Sequence, residues 1–234
     1  MTRTSLSRCS SAVLAVLLVA TLAAPAAAVS VGEATIPEEG QVDSQVTATI
    51  TLTTLYQDPT YEQWQLAGRT ELRNVTWVVE YIDQTGAKVD QEEFNGREFS
   101  GATIRADDGT SEVRVRVTGT VPSVGTYSYD PPQEFLLAEL TQTQEGGASN
   151  AIETWRAHHY TAASDRARNA MDEAESAIAA AEDAGTNPNQ AEETFASAVD
   201  AYESGNFDNA QRLAERATRE ANSAKQSAET RRTA

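Results

Sequence analysis

His158 and His159 are the only histidines in the chain, and imidazoles are the side chains best suited to hold zinc or to move protons near neutral pH. Adjacent side chains diverge by about 180° on a strand and about 100° on a helix, so the two rings cannot close on one ion. The single cysteine, Cys9, lies in a leader-like segment and leaves no thiolate to complete a zinc site. Carboxylates number 35, so pairs at glycosidase spacing arise from abundance alone and say nothing about hydrolysis. Asp107-Asp108-Gly109 and Gly205-Asn206-Phe207-Asp208 lack the alternating oxygen ligands of a calcium loop and read as a turn and a helix cap. There is no Gly-x-Ser-x-Gly elbow, phosphate loop, dinucleotide fingerprint or His-Glu-x-x-His. The expectation is a non-enzymatic protein without cofactor or metal.

Two features point to surface chemistry instead. Asn74-Val75-Thr76 is an N-glycosylation sequon. Asn74 points away from the face that carries Val75 and Trp77 and is the candidate acceptor. Of the three tryptophans, Trp77 is in phase with Val75 and Val79 and reads as core. Trp64 lies in the segment 56–73, too long for a hairpin loop and read as an insertion. It is the candidate ligand-binding aromatic of a carbohydrate-binding alternative.

The elements that must position these residues fall into two composition zones. From Val29 to Tyr160 the chain is rich in Thr, Val, Ile and Tyr, with Gly, Asn and Asp at intervals, as in short antiparallel strands. Val46, Ala48, Ile50 and Leu52 alternate with threonines; Val75, Trp77, Val79 and Tyr81 alternate with polar residues; Val113, Val115 and Val117 alternate with Glu112, Arg114 and Arg116. Each pattern has the period of a half-buried strand. Asp83-Gln84-Thr85-Gly86 supplies turn chemistry, and Asn95-Gly96 and Asp108-Gly109 are further hairpin signals. Pro131-Pro132 marks a crossover or an edge. Phe135–Thr143 and Ile152–Tyr160 read as a last hairpin around Glu145-Gly146-Gly147; the second could instead be a helix capped by Asn150 and Glu153. About seven strands in residues 29–160 suggest an immunoglobulin/fibronectin-like β-sandwich.

Residues 161–234 are alanine-rich with alternating charges, and three helices are expected, giving an α+β chain of two domains. The first runs from Ser164 to Ala184 with Gly185 as its stop. Asn187-Pro188 and Gln190 open the second, which carries Ala191, Phe195, Ala198 and Tyr202 on one face and stops at Gly205. Phe207, Ala210, Ala214, Ala217, Ala221, Ala224 and Ala228 keep a seven-residue seam on the third. Two arrangements are open. The helices could close into a bundle docked on the strands, or the third, about 33 Å long, could overhang and offer Phe207, Ala214, Ala217, Ala221, Ala224 and Ala228 to a protein partner or a second copy.

The second and third helices resemble a single tetratricopeptide repeat. Asn187-Pro188-Asn189, Ala191, Ala198, Tyr202, Gly205-Asn206-Phe207, Ala210 and Ala217 fall in that family's register. The family's bulky residues early in the first helix are replaced here by Thr194 and Ser197. The resemblance implies a helical hairpin able to bind a partner.

Arg3 and Arg8, the apolar run Ala12–Ala23 and Ala26-Ala27-Ala28 have the layout of a secretory signal peptide, residues 1–28, with the mature chain expected to begin near Val29. Extracellular or cell-surface localisation follows, with no transmembrane segment in the mature chain. The formal net charge is −17, and Lys88 and Lys225 are the only lysines. This composition resembles that of haloarchaeal secreted and surface proteins, and so acidic a surface disfavours nucleic acid as a partner. Self-repulsion opposes folding in dilute buffer, whereas at molar salt the Debye length falls to about 3 Å. The melting temperature is therefore expected to rise from dilute buffer to molar salt, a comparison that calorimetry makes directly; an unchanged value would contradict salt adaptation.

Overall fold

The computed structural model describes residues 29–56, 62–144 and 147–233. The expected leader, residues 57–61 of segment 56–73 and Glu145-Gly146 lie outside the described residues. The strands are β1 (Ser30–Thr35), β2 (Glu39–Gln41), β3 (Gln45–Thr53), β4 (Gln63–Arg69), β5 (Arg73–Asp83), β6 (Lys88–Asn95), β7 (Glu98–Arg105), β8 (Thr110–Thr120), β9 (Glu134–Thr143) and β10 (Ser149–Tyr160). The helices α1 (Ala162–Asp183), α2 (Asn189–Glu203) and α3 (Phe207–Thr233) follow.

The strands form two five-stranded sheets, ordered β1-β3-β8-β5-β6 and β2-β10-β9-β4-β7. Pairing is antiparallel except between β2 and β10. The three strongly alternating segments lie side by side in the first sheet. Their apolar positions align in rows Ala48-Val117-Trp77, Ile50-Val115-Val79 and Leu52-Val113-Tyr81, so the period-two pattern on each strand becomes one continuous apolar face. The opposite face carries charge. Arg114 and Lys88 both approach Glu80, each at 3.6 Å, the cross-strand pairing that alternation implies.

The second sheet faces this surface with Trp64, Leu66, Phe99, Ile104, Phe135, Leu137 and Leu140, and both sheets share one core. Several expectations change here. Segment 56–73 is not an insertion, because it supplies β4, an interior strand paired with both β7 and β9. Asn95-Gly96 and Asp108-Gly109 are turns, but not of hairpins. They carry the chain from β6 of the first sheet to β7 of the second and from β7 back to β8. Residues Ser149–Tyr160 form a strand, since β9 offers them a ladder nine pairs long.

The helices close on each other. Ala167, Met171 and Ala174 of α1, Ala198 and Tyr202 of α2, and Ala210, Ala214 and Ala217 of α3 form a second core, and Ala181, Ala191 and Ala221 form a third. Small side chains allow the axes to approach closely but bury little area per turn. α3 does not project free past its neighbours: the guanidinium of Arg232 lies beside Gly185, just after α1. At the entry to α2, Pro188 takes the capping position without a side-chain cap, and Gln190 reaches Glu220 of α3 at 3.1 Å.

Gly68 tests how tightly the two sheets fit. A β-carbon there would lie 2.4 Å from the Phe99 ring, which is held between Trp77 and Phe94 at centroid distances of 5.0 Å each. With no room for the ring to give, Gly68→Ala is expected to destabilise the fold by about 1–3 kcal/mol, measured by denaturant unfolding; a neutral outcome would mean that the Phe99 cluster is loose.

Candidate functional site

Between β8 and β9 the chain must pass from one sheet to the other. Pro122, Pro131 and Pro132 lack the N–H that a ladder needs, so residues 121–133 cross without a strand. This crossover binds the strands to the helices. Tyr127 meets Phe207 and Tyr202 edge-on at centroid distances of 4.6 and 6.0 Å. Tyr129 meets Phe195 and Tyr202 at 5.7 and 6.3 Å. These edge-to-face contacts each add about 0.5–1.5 kcal/mol beyond simple burial.

The polar atoms of Tyr129 are also held by α1. Its hydroxyl lies 2.7 Å from Asp172 Oδ1 and 3.2 Å from Glu175 Oε2, and its carbonyl accepts from Arg168 Nη2 at 2.6 Å. The Arg168 guanidinium carbon stands 4.9 Å from the ring centroid, a cation–π distance. Burial first, and then the two carboxylates, push the Tyr129 phenol well above its ordinary range. The neutral, donating form is thus the one that the site retains.

At the far end of the crossover, Gln133 holds β10. Its Oε1 accepts from the Ser128 N–H at 3.1 Å, and its Nε2 donates to the His159 carbonyl at 2.8 Å. A recess of about 360 Å³ beside it is lined by Glu71, Arg97, Ser123, Gln133, Glu134 and His159. Several of these groups are committed to holding the chain. Glu71 accepts from the Leu136 N–H at 2.5 Å, and His159 Nδ1 lies 3.3 Å from the Pro122 carbonyl. Burial lowers the pKa of both histidines below the ordinary value. They sit on an interior strand covered by β2 along His158–Tyr160, not on a sheet edge.

The candidate residues of the sequence are scattered. Trp64 is not an exposed ligand aromatic. It is 1 % exposed in the sheet-to-sheet core, with its indole N–H donating to the Leu55 carbonyl at 2.9 Å, because β4 turns its alternate residues inward. The seam of α3 is no open partner surface either. Ala214, Ala217 and Ala221 are fully buried against α1 and α2, and Ala228 is 7 % exposed. Ala224 and Phe207 remain partly exposed; Ala224 lines a groove of about 410 Å³ between α2 and α3. Asn74 is exposed, at a break in the β5–β8 register and with a positive φ of 51°. Among the described residues no His, Cys, Asp and Glu side chains gather as a metal-binding group, and no helix is long and apolar enough to cross a membrane.

The residues missed by periodicity are Tyr127, Tyr129 and Gln133, which follow no repeat. Their signal was indirect: Phe195, Tyr202 and Phe207 are larger than an alanine seam can cover, and Tyr-x-Tyr stands beside Pro-Pro in the segment before them.

No protein-family model matches the chain, and no curated protein matches it. Among solved structures it is similar to Spo0M, a sporulation control protein from Bacillus subtilis, at 12% identity and a TM-score of 0.31, over 62% of this chain and 55% of that one. It is also similar to AvmM, which catalyses macrocyclization in alchivemycin A biosynthesis, at 7% identity and a TM-score of 0.31, over 58% and 92%. A DUF4466 family protein from Parabacteroides merdae aligns at 10% identity and a TM-score of 0.32, over 57% and 46%. The chain spans little more than half the length of Spo0M.

If Tyr129 is the anchor, Tyr129→Ala removes about 3–5 kcal/mol of buried aromatic contact. Calorimetry is expected to split the unfolding transition, with the helices melting first, while Tyr129→Phe keeps the rings together and loses only the hydroxyl bonds. An unchanged transition in Tyr129→Ala would show that the helices are held elsewhere.

Proposed function

We propose that this is an exported, non-enzymatic interaction or structural module of the cell envelope of a haloarchaeon-like, salt-adapted organism. The observation that carries the reading is the junction at Val29. This residue follows the leader-like stretch directly and is 2 % exposed within the shared core of the sheets, so cleavage just before it would leave the described core whole.

The strand order supports an immunoglobulin-like scaffold within this proposal. Taken in chain order, β1, β3, β4, β5, β8, β9 and β10 divide into β1-β3-β8-β5 and β10-β9-β4. This division matches the four-plus-three pattern of a constant-type immunoglobulin domain, with β2 added between its first and second strands and β6 and β7 between its fourth and fifth. The helical end is the proposed partner side, with the groove beside Ala224 in place of the buried seam. A carbohydrate-binding role for Trp64 and segment 56–73 loses its ring, since Trp64 is buried. Exposed Asn74 stays the proposed glycan acceptor.

Cell fractionation tests the proposal. The full chain, tagged at its C-terminus and produced in a haloarchaeal host, is expected in the envelope or medium with an N-terminus at or near Val29. Retention in the cytoplasm with the leader intact would overturn it.

A further inference from the structure

The Gln133 side chain lies beside the His158 ring. An amide can face two ways, but here two backbone groups choose one: Oε1 accepts from the Ser128 N–H at 3.1 Å and Nε2 donates to the His159 carbonyl at 2.8 Å. The same Nε2 lies 3.3 Å from His158 Nε2. That end of the amide has only hydrogens to offer, so His158 Nε2 can pair with it only as an acceptor, in the neutral ring with its proton on Nδ1. Protonation of His158 would set N–H against N–H. Turning the amide by half a revolution would repair this contact and break the two backbone ones.

We propose that Gln133 and His158 form a proton-sensitive latch which holds the crossover, and through it the helices, against β10 while His158 is neutral, and releases them when it is protonated. The latch sits where release matters. Gln133 is four residues from Tyr129, and Ser128, its backbone partner, adjoins Tyr129. Arg168 of α1 bonds the Tyr129 carbonyl and also faces His158.

The charges around His158 come from every side. Arg168 and His159 oppose its protonation, after burial as the first cause, while Glu39 of β2 and Asp165 of α1 favour it; the balance lowers its pKa. Glu134 is its cross-strand partner on β9, and the Tyr160 ring lies 5.7 Å away. A folded value below the unfolded one means that the open state takes up more protons. The latch is therefore fully effective above the ordinary histidine value of about 6.5 and weakens as pH falls from there towards the lowered value. His159 titrates in the same direction, but its Nδ1 donates to the Pro122 carbonyl in either state.

Nitrogen-15 spectra of the full chain at neutral pH give the first test. His158 is expected as the Nδ1–H tautomer, and an Nε2–H signal would overturn the latch without any variant. Hydrogen exchange of residues 121–133 between pH 8 and pH 5, corrected for intrinsic rates, gives the second. Each unit of acidification through the window is expected to raise the open fraction up to about tenfold per histidine. His158→Gln, in which a side-chain carbonyl still accepts from Gln133, should reduce that slope by about one proton. Equal slopes in the two proteins would overturn the proposal.

Discussion

The attachment of Tyr129 to α1 is the contact on which the arrangement of the two halves depends. The sheets bury one core and the helices bury their own, and the crossover is the segment that contributes aromatic side chains from the strand half to the helical core. A phenol buried so deeply needs a hydrogen-bond partner, and Asp172 and Glu175 meet that need from consecutive turns of one helix face. The same anchor therefore fixes both the position and the rotation of α1.

This mode of attachment suits a protein with so acidic a surface. Exposed ion pairs such as Arg73–Asp43 are screened as salt rises and contribute little even in dilute buffer. Apolar burial and short hydrogen bonds are not weakened in the same way. The connection from β10 adds a second restraint. Only Thr161 separates Tyr160 from Ala162, and it closes a reciprocal capping box with Ser164, so α1 leaves the strand in one direction. The alanine seam follows from these restraints. Where the aromatic cluster fixes one end of the bundle, small residues suffice along the rest.

The same junction concentrates the polar groups that the strands would otherwise leave exposed. Glu71, Gln133 and His159 each bind a backbone atom at this junction: the Leu136 N–H, the His159 carbonyl and the Pro122 carbonyl. An irregular path between sheets needs such partners wherever it is buried. That requirement accounts for a histidine pair which resembles a ligand pair in the sequence and serves as support in the fold.

The amino-acid sequence by itself determined what local periodicity can encode. Alternation in Val46–Leu52, Val75–Tyr81 and Val113–Val117 specified three strands and the face each buries. Gly185 and Gly205 specified helix ends, both with a φ of +75°. Tertiary structure alone decided which surfaces meet. Trp64 looked free because its short strand is flanked by polar and turn residues, and only β7 and β9 on either side turn it into core. The alanines of α3 carry the same pattern whether they face α1 and α2 or a second chain. Tyr127, Tyr129 and Gln133 obey no period at all, because their partners lie on helices from about 40 to 80 residues onward or on β10. Local periods are set by backbone geometry and survive in the sequence, while the choice among apolar or hydrogen-bonding partners is made only when the chain is closed in space.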